Sequence, residues 1–128
     1  MEKKGIKHDA GKPKIADMIF DYKVQLLELC KVFEYGTKTY GLGNWKELED
    51  GKERFTNAMM RHFLSEDEVY DEETGLLHAS QVFYNAGARL YYILKEMEQK
   101  NDWFYGFSRR TIINYKWSYG IFKTLSWS

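Results

Sequence analysis

The chain has 128 residues, 44% of them hydrophobic and 30% charged, enough for one small folded domain with a core of its own. Its 19 basic and 19 acidic side chains cancel, which argues against a dedicated duplex-DNA binder; no apolar run approaches the ~20 residues of a membrane span, and the polar opening "MEKKGIKHDAGK" is no signal peptide. One cysteine, Cys30, excludes an internal disulfide and fits a reducing cytoplasm; with three histidines it leaves too few soft ligands for a structural zinc finger, while an oxygen-bound divalent cation stays open.

In chain order, "GIKHDAGKPKIADM" is rich in Lys, Gly and Asp, holds the single Pro13, and reads as a loop. A first helix is expected from about Asp21 to Tyr40, with Val24, Leu27, Cys30, Val32 and Phe33 on its apolar face. Gly41 and Gly43 stop it. A second helix is expected from about Glu53 to Ser65, burying Phe55, Met59 and Phe63. The acidic turn "EDEVYDEETG" follows, then a third helix from about Leu77 to Gln99. Its apolar stripe is Ala79, Val82, Phe83, Ala86, Leu90, Ile93, Leu94 and Met97. The fold class is therefore mainly α, a small helical bundle, with residues 1–100 as the domain and residues 101–128 as an extension.

That extension differs in kind. It holds nine of the chain's 22 aromatic residues and one acid, Asp102. In "IINYKWSYGIF" the residues Ile113, Tyr115, Trp117, Tyr119 and Ile121 alternate with smaller or polar ones, a strand pattern. A lone strand leaves its ladder unpaired. The segment is thus either a clasp over the helical core or a base-stacking or subunit surface, and the pairing of strands between copies predicts a homodimer or higher homo-oligomer.

Three groups of residues can carry chemistry. His78, Gln81, Asn85 and Arg89 share one face of the third helix at i, i+3, i+7, i+11. They form either its solvent side or the lining of a cavity; solvated faces are usually Lys and Glu, as in "KEMEQK". In the acidic turn, Glu68 and Asp71 lie one turn apart if the helix continues that far, a spacing that suits Mg²⁺ or Mn²⁺, and His62 and His78 flank them. The plain alternative is a hydrated loop. In the N-terminal arm, Lys7, Lys12 and Lys14 among Gly5 and Gly11 make either a phosphate clamp or a tail. There is no G-x-x-x-x-G-K-[ST], no H-E-x-x-H and no G-x-S-x-G.

Several of these blocks, in this order, resemble the phage dATP/dGTP diphosphohydrolases, a MazG-like family. "GIKHDAGKP" is similar to the opening G-x-K-x-D-x-G-K-P; "EYGTKTYGLGNW" is similar to Y/F-G-x-x-K-Y-G followed by N-W. Arg61-His62, "DEVYDEETGLLH" and Asn85 follow where the family has R-H, G-E-x-x-D-x-E-S/T-G-x-x-H and a downstream Asn. The match covers roughly residues 5–95 and leaves the aromatic extension outside. The chain departs from the pattern at Asp67, which replaces a Gly, at Thr39, and at Gln81, where many relatives carry a second His. Of the two MazG-type carboxylate pairs, only the second is clean, as Glu68 and Asp71; Glu28 and Glu34 lie six apart on the first helix.

The resemblance implies an all-α enzyme that cuts a deoxynucleoside triphosphate, dGTP or dATP, to the monophosphate and pyrophosphate with Mg²⁺ or Mn²⁺. It acts in the cytoplasm of an infected host, on the nucleotide pool or toward modified-purine DNA. The implied metal ligands are Glu34, Glu68 and Asp71, and the implied catalytic set is Glu68, Asp71, His62 and His78. Lys7, Lys12 and Lys38 are assigned to the phosphates, Asn44 and Asn85 to a purine edge and Trp45 or Tyr40 to stacking, with Asp9 and Arg61 completing the implied substrate-binding set. No stable nucleic-acid binding and no membrane contact are expected. The rivals are a non-catalytic nucleotide sensor and a structural phage protein with a merely solvated acidic loop.

Overall fold

A computed structural model of the chain describes residues 3–100. It contains four α-helices: α1 (Ile15–Asp21), α2 (Lys23–Tyr40), α3 (Gly51–Leu64) and α4 (His78–Gln99), with a 3-10 turn at Asn44–Lys46 between α2 and α3. The strand and oligomer expectations for residues 101–128 lie outside the described residues.

The three expected helices form within two residues of their expected ends. One correction precedes them: residues 15–21 are helical rather than loop. Pro13 sits just ahead of the first turn, where its fixed φ and missing N–H cost nothing, and Asp17 in that turn faces the positive end of the helix dipole. The Tyr22 N–H reaches Met18 O at 2.9 Å and the Leu26 N–H reaches Tyr22 O at 2.8 Å, so α1 runs almost without a break into α2. Helix α2 ends at Gly41, whose φ of 91° no side-chain-bearing residue adopts cheaply.

Helices α3 and α4 form an antiparallel hairpin. His62 lies beside His78 at one end, Arg89 Nε donates to Thr56 Oγ1 at 2.8 Å in the middle, and Tyr92 covers Gly51 at the other end. The face of α4 that packs here was not the expected one. Its buried residues are His78, Ser80, Gln81, Asn85, Ala88 and Tyr92, while Phe83 is 42% and Leu90 51% exposed. The polar stripe faces inward, and part of the apolar stripe faces outward. On α2 only Val32 is buried, and Leu27, expected in the core, is 58% exposed. Phe63 of α3 is also exposed.

Tyr92 joins three pieces of chain. Its hydroxyl donates to Trp45 O at 2.8 Å and accepts the Leu48 N–H at 3.0 Å, fixing the segment between α2 and α3 onto α4. Its ring lies 6.0 Å from that of Phe55 and directly over the Gly51 Cα, where a methyl group would collide with the ring. Gly51→Ala is therefore expected to lower stability by roughly 1–3 kcal/mol, the usual cost of overpacking, although Ala is the better helix former. Denaturant unfolding checks this; a variant as stable as the parent would show that the ring moves aside freely.

Candidate functional site

A cleft of about 600 Å³ opens between α3 and α4, walled by the C-terminal half of α2 and by the loop that joins α3 to α4. That size suits a nucleotide-sized ligand. From α2 and the following loop it takes Gly36, Tyr40, Asn44 and Trp45; from α3 it takes Arg54, Asn57, Arg61 and His62. Asp71, Glu73 and Thr74 come from the α3–α4 loop, and Gln81, Tyr84 and Asn85 from α4.

The loop is held by one carboxylate. Asp71 Oδ2 accepts from Thr74 Oγ1 at 2.8 Å and from Gln81 Nε2 at 2.9 Å, and Oδ1 accepts the Glu73 N–H at 3.2 Å. The backbone closes the same turn, with Asp71 N–H to Leu76 O at 2.8 Å, Gly75 N–H to Asp71 O at 2.7 Å, and one antiparallel bridge between Tyr70 and Leu77. Partial burial pushes the Asp71 carboxyl up, but the hydrogen bonds from Gln81, Thr74 and Glu73, with His62 nearby, outweigh it and hold the group below its ordinary value.

His62 and His78 meet at the loop's other side, Nδ1 to Nδ1 at 3.0 Å. Such a contact holds one proton, so one ring donates and the other accepts. Burial pushes the His62 imidazole below its ordinary value; His78 and Arg61 push the same way, while Asp71 and Glu73 oppose them. Burial thus favours the neutral imidazole at His62, which can take a proton at Nε2 when its Nδ1–H is the one that donates to His78.

Two features of the cleft point to an anionic ligand with hydrogen-bond donors. Arg54 and Arg61 have no ion-pair partner among the described residues. Gln81 and Asn85 are each 7% exposed, and their amide nitrogens are committed, to the Asp71–Thr74 clamp and to Gln81 O respectively. Both residues line the cleft and their side-chain oxygens accept no hydrogen bond from the described residues; a buried acceptor is costly to leave unmet.

The residues singled out from the sequence separate into two groups. Tyr40, Asn44, Trp45, Arg61, His62, Asp71 and Asn85 line the cleft, and buried His78 touches it through His62. Lys7, Asp9, Lys12, Lys38, Glu34 and Glu68 do not line it. Helix α3 ends at Leu64, so Glu68 and Asp71 are not stacked on one helix; Glu68 sits exposed in a turn whose N–H reaches Ser65 O at 3.0 Å. Glu34 is exposed on α2, 3.7 Å from Cys30 Sγ. Among the described residues no three His, Cys, Asp or Glu side chains gather to hold a metal ion, so Glu34, Glu68 and Asp71 do not form a cage. Residues 3–14 are exposed and include a turn from Lys12 N–H to Asp9 O at 3.1 Å. Arg54, Asn57, Glu73, Thr74 and Tyr84 were missed. The i, i+3, i+7 spacing of Arg54, Asn57 and Arg61 on α3 was the available signal, a polar stripe matching that of α4.

Fold and cleft together define an all-α protein whose site is a groove of mixed polar and apolar lining, bearing two guanidiniums without an ion-pair partner among the described residues. Residues 2–102 match the model of the family described as dATP/dGTP diphosphohydrolase, N-terminal, and the chain belongs to that family. No curated protein and no solved structure matches the chain. Among the described residues no helix is long and apolar enough to cross a membrane.

The lowered His62 value has a consequence for stability. The unfolded chain binds this proton more readily than the folded one, so the contribution is fully present above the ordinary value of 6.5 and is lost as pH falls from there toward the folded value. Asp71 acts in a lower window: its contribution is present above 3.8 and is lost as pH falls through its own lowered value. Denaturant midpoints in chelator should fall between pH 7.5 and 5.5, and His62→Gln should flatten that slope. An equal slope in both proteins would contradict the assignment.

Proposed function

We propose that the chain is a metal-dependent diphosphohydrolase that cuts a purine deoxynucleoside triphosphate, dGTP or dATP, to the monophosphate and pyrophosphate, in phage nucleotide-pool remodelling or modified-purine DNA synthesis. The observation that supports this most is the pairing of Arg54 and Arg61, without carboxylate partners, with the buried acceptors Gln81 and Asn85 across one cleft. Guanidiniums suit a phosphate chain, and amide oxygens suit the N–H groups of a purine. The family's own description points to the same substrates.

Asp71 and Glu73 on the same wall would repel a triphosphate, so a divalent cation is needed between them. Mg²⁺ seldom sits in a cage made only of protein; it keeps water, takes one or two carboxylates and shares phosphate oxygens. Asp71 and Glu73 fit that role better than Glu34 and Glu68, which lie off the cleft. When bound, the cation supplies charge neutralisation and lowers the pKa of water. The chain's own part is positioning. Arg54 and Arg61 orient the phosphates, Trp45 or Tyr40 stacks on the base, and neutral His62, steadied by His78, accepts a proton from the attacking water. Lys7 and Lys12 reach the triphosphate only if the arm folds over it.

The hydrogen bonds already made by Asp71 favour one rival, a nucleotide sensor without turnover. A panel of dNTPs and NTPs with Mg²⁺ or Mn²⁺ separates the two. The expected result is monophosphate plus pyrophosphate, with purine deoxynucleotides preferred; binding without product would identify the sensor. Within the panel, Glu73→Gln and Asp71→Asn should lower turnover by roughly 10-fold or more, and Glu68→Gln should have a smaller effect. Removing residues 1–12 should raise KM while leaving the apo Tm unchanged. An unaltered KM would show that the arm takes no part.

A further inference from the structure

We propose that the Tyr84 hydroxyl is the hydrogen-bond partner of the sugar 3′-hydroxyl, a pentose-reading contact that rests on the nucleotide reading of the cleft. Neither the phosphate contacts nor the proton transfer uses this side chain.

Tyr84 lines both the cleft and a smaller apolar groove between α2 and α4, so it stands where the two meet. Its hydroxyl oxygen lies 4.0 Å from the place a Cβ would take on Gly36, a cleft residue of α2. Alanine at that position would make an ordinary contact with the hydroxyl, and a longer side chain would reach over it; glycine leaves the phenol tip uncovered from that side. None of the described residues makes a hydrogen bond with this hydroxyl. The phenols of Tyr35 and Tyr40, also on the cleft, are exposed and can be met by water. Tyr84 is only partly exposed, and burial pushes its phenol above the ordinary value, so it keeps its proton and can donate. A phenol combines an apolar ring with one polar tip, and a shielded tip without a partner costs free energy that a ligand hydroxyl recovers.

The place of Tyr84 along α4 identifies the ligand group. Gln81, Tyr84, Ala88 and Tyr91 follow i, i+3, i+7, i+10 spacing and share one face of the helix. At one end of this stripe Gln81 Nε2 holds Asp71 Oδ2 at 2.9 Å, on the wall assigned to the cation and phosphates. At the other end the Tyr91 ring meets Trp45, a stacking partner of the base, at 4.8 Å. Tyr84 lies between them, about 4.5 Å along the axis from Gln81 and about 10.5 Å from Tyr91. In a nucleotide the pentose is the piece between base and phosphates. A deoxypentose whose 5′-oxygen is esterified has one free hydroxyl, at C3′, and it can both donate and accept, as the phenol can.

The full-length protein is titrated, with Mg²⁺ present, with the α,β-methylene analogues of dGTP and dATP, each also in its 2′,3′-dideoxy form, and Tyr84→Phe is compared with the parent. The parent is expected to bind the dideoxy form about 3–10-fold more weakly than the deoxy form, the fold-change of one net hydrogen bond. Tyr84→Phe should bind the deoxy form more weakly by the same factor and the dideoxy form as well as the parent does, because either change alone removes the whole contact. An equal loss for both forms, or no loss for either, overturns the proposal while leaving the nucleotide site standing. A parent that binds none of the analogues overturns the nucleotide reading of the cleft, and this contact with it.

Discussion

Everything in the described structure depends on how Tyr92 sits. A single ring closes on the Cα of Gly51, and its hydroxyl ties the backbone of Trp45 and Leu48 to α4. Three otherwise separate pieces, the 3-10 turn, the start of α3 and the middle of α4, are held by one side chain. Tyr91 extends the same joint: its ring meets Trp45 edge-on at 4.8 Å, and Lys46 lies over both rings at 5.4 and 5.7 Å. Trp45 and Asn44 border the cleft, so the position of the ligand's expected stacking partner is set from behind by this packing. Loss of the Tyr92 hydroxyl would leave the part-buried Leu48 N–H and Trp45 C=O without this partner, at a cost of about 1 kcal/mol for each bond.

The second constraint is the inward turn of the polar stripe on α4. Burying His78, Gln81 and Asn85 costs free energy that an apolar stripe would not. The protein recovers part of it through the Asp71 clamp, the His62–His78 contact and the Asn85 bond to Gln81 O. What it leaves unmet are the side-chain oxygens of Gln81 and Asn85, residues that line the cleft, the arrangement expected when a ligand completes the network. The apolar residues turned outward are the counterpart of this choice, since one helix cannot give both faces to α3.

The helices were legible because long periodic segments with glycine stops report their own secondary structure. The direction in which α4 faces was not. Hydrophobicity placed Ala79, Phe83 and Leu90 inside, and only tertiary contact between two polar stripes reverses that. The stripe His78, Gln81, Asn85 and Arg89 reads from residue type as either a solvent side or a cavity lining; Gln81 and Asn85 line the cleft, while His78 meets His62 and Arg89 meets Thr56 on α3. Glu68 and Asp71 show the opposite case. Their spacing carries meaning only on a helix, and the helix ends at Leu64. Glu73 stood in the same acidic run with nothing in the sequence to favour it, because which carboxylate meets the cleft is decided by loop hydrogen bonds. Short α1 was hidden by the glycine- and lysine-rich context of the residues before it.

The central claim is that the α3–α4 cleft is where the triphosphate binds. Hydrogen exchange of the full-length protein, with and without a non-hydrolysable α,β-methylene deoxyguanosine triphosphate and Mg²⁺, tests it most directly. The account predicts slowed exchange in the α3–α4 loop around Asp71–Thr74 and in the N-terminal arm, with α1 unchanged. Protection confined to α1 and the outer face of α2, or none at saturating nucleotide, would contradict it.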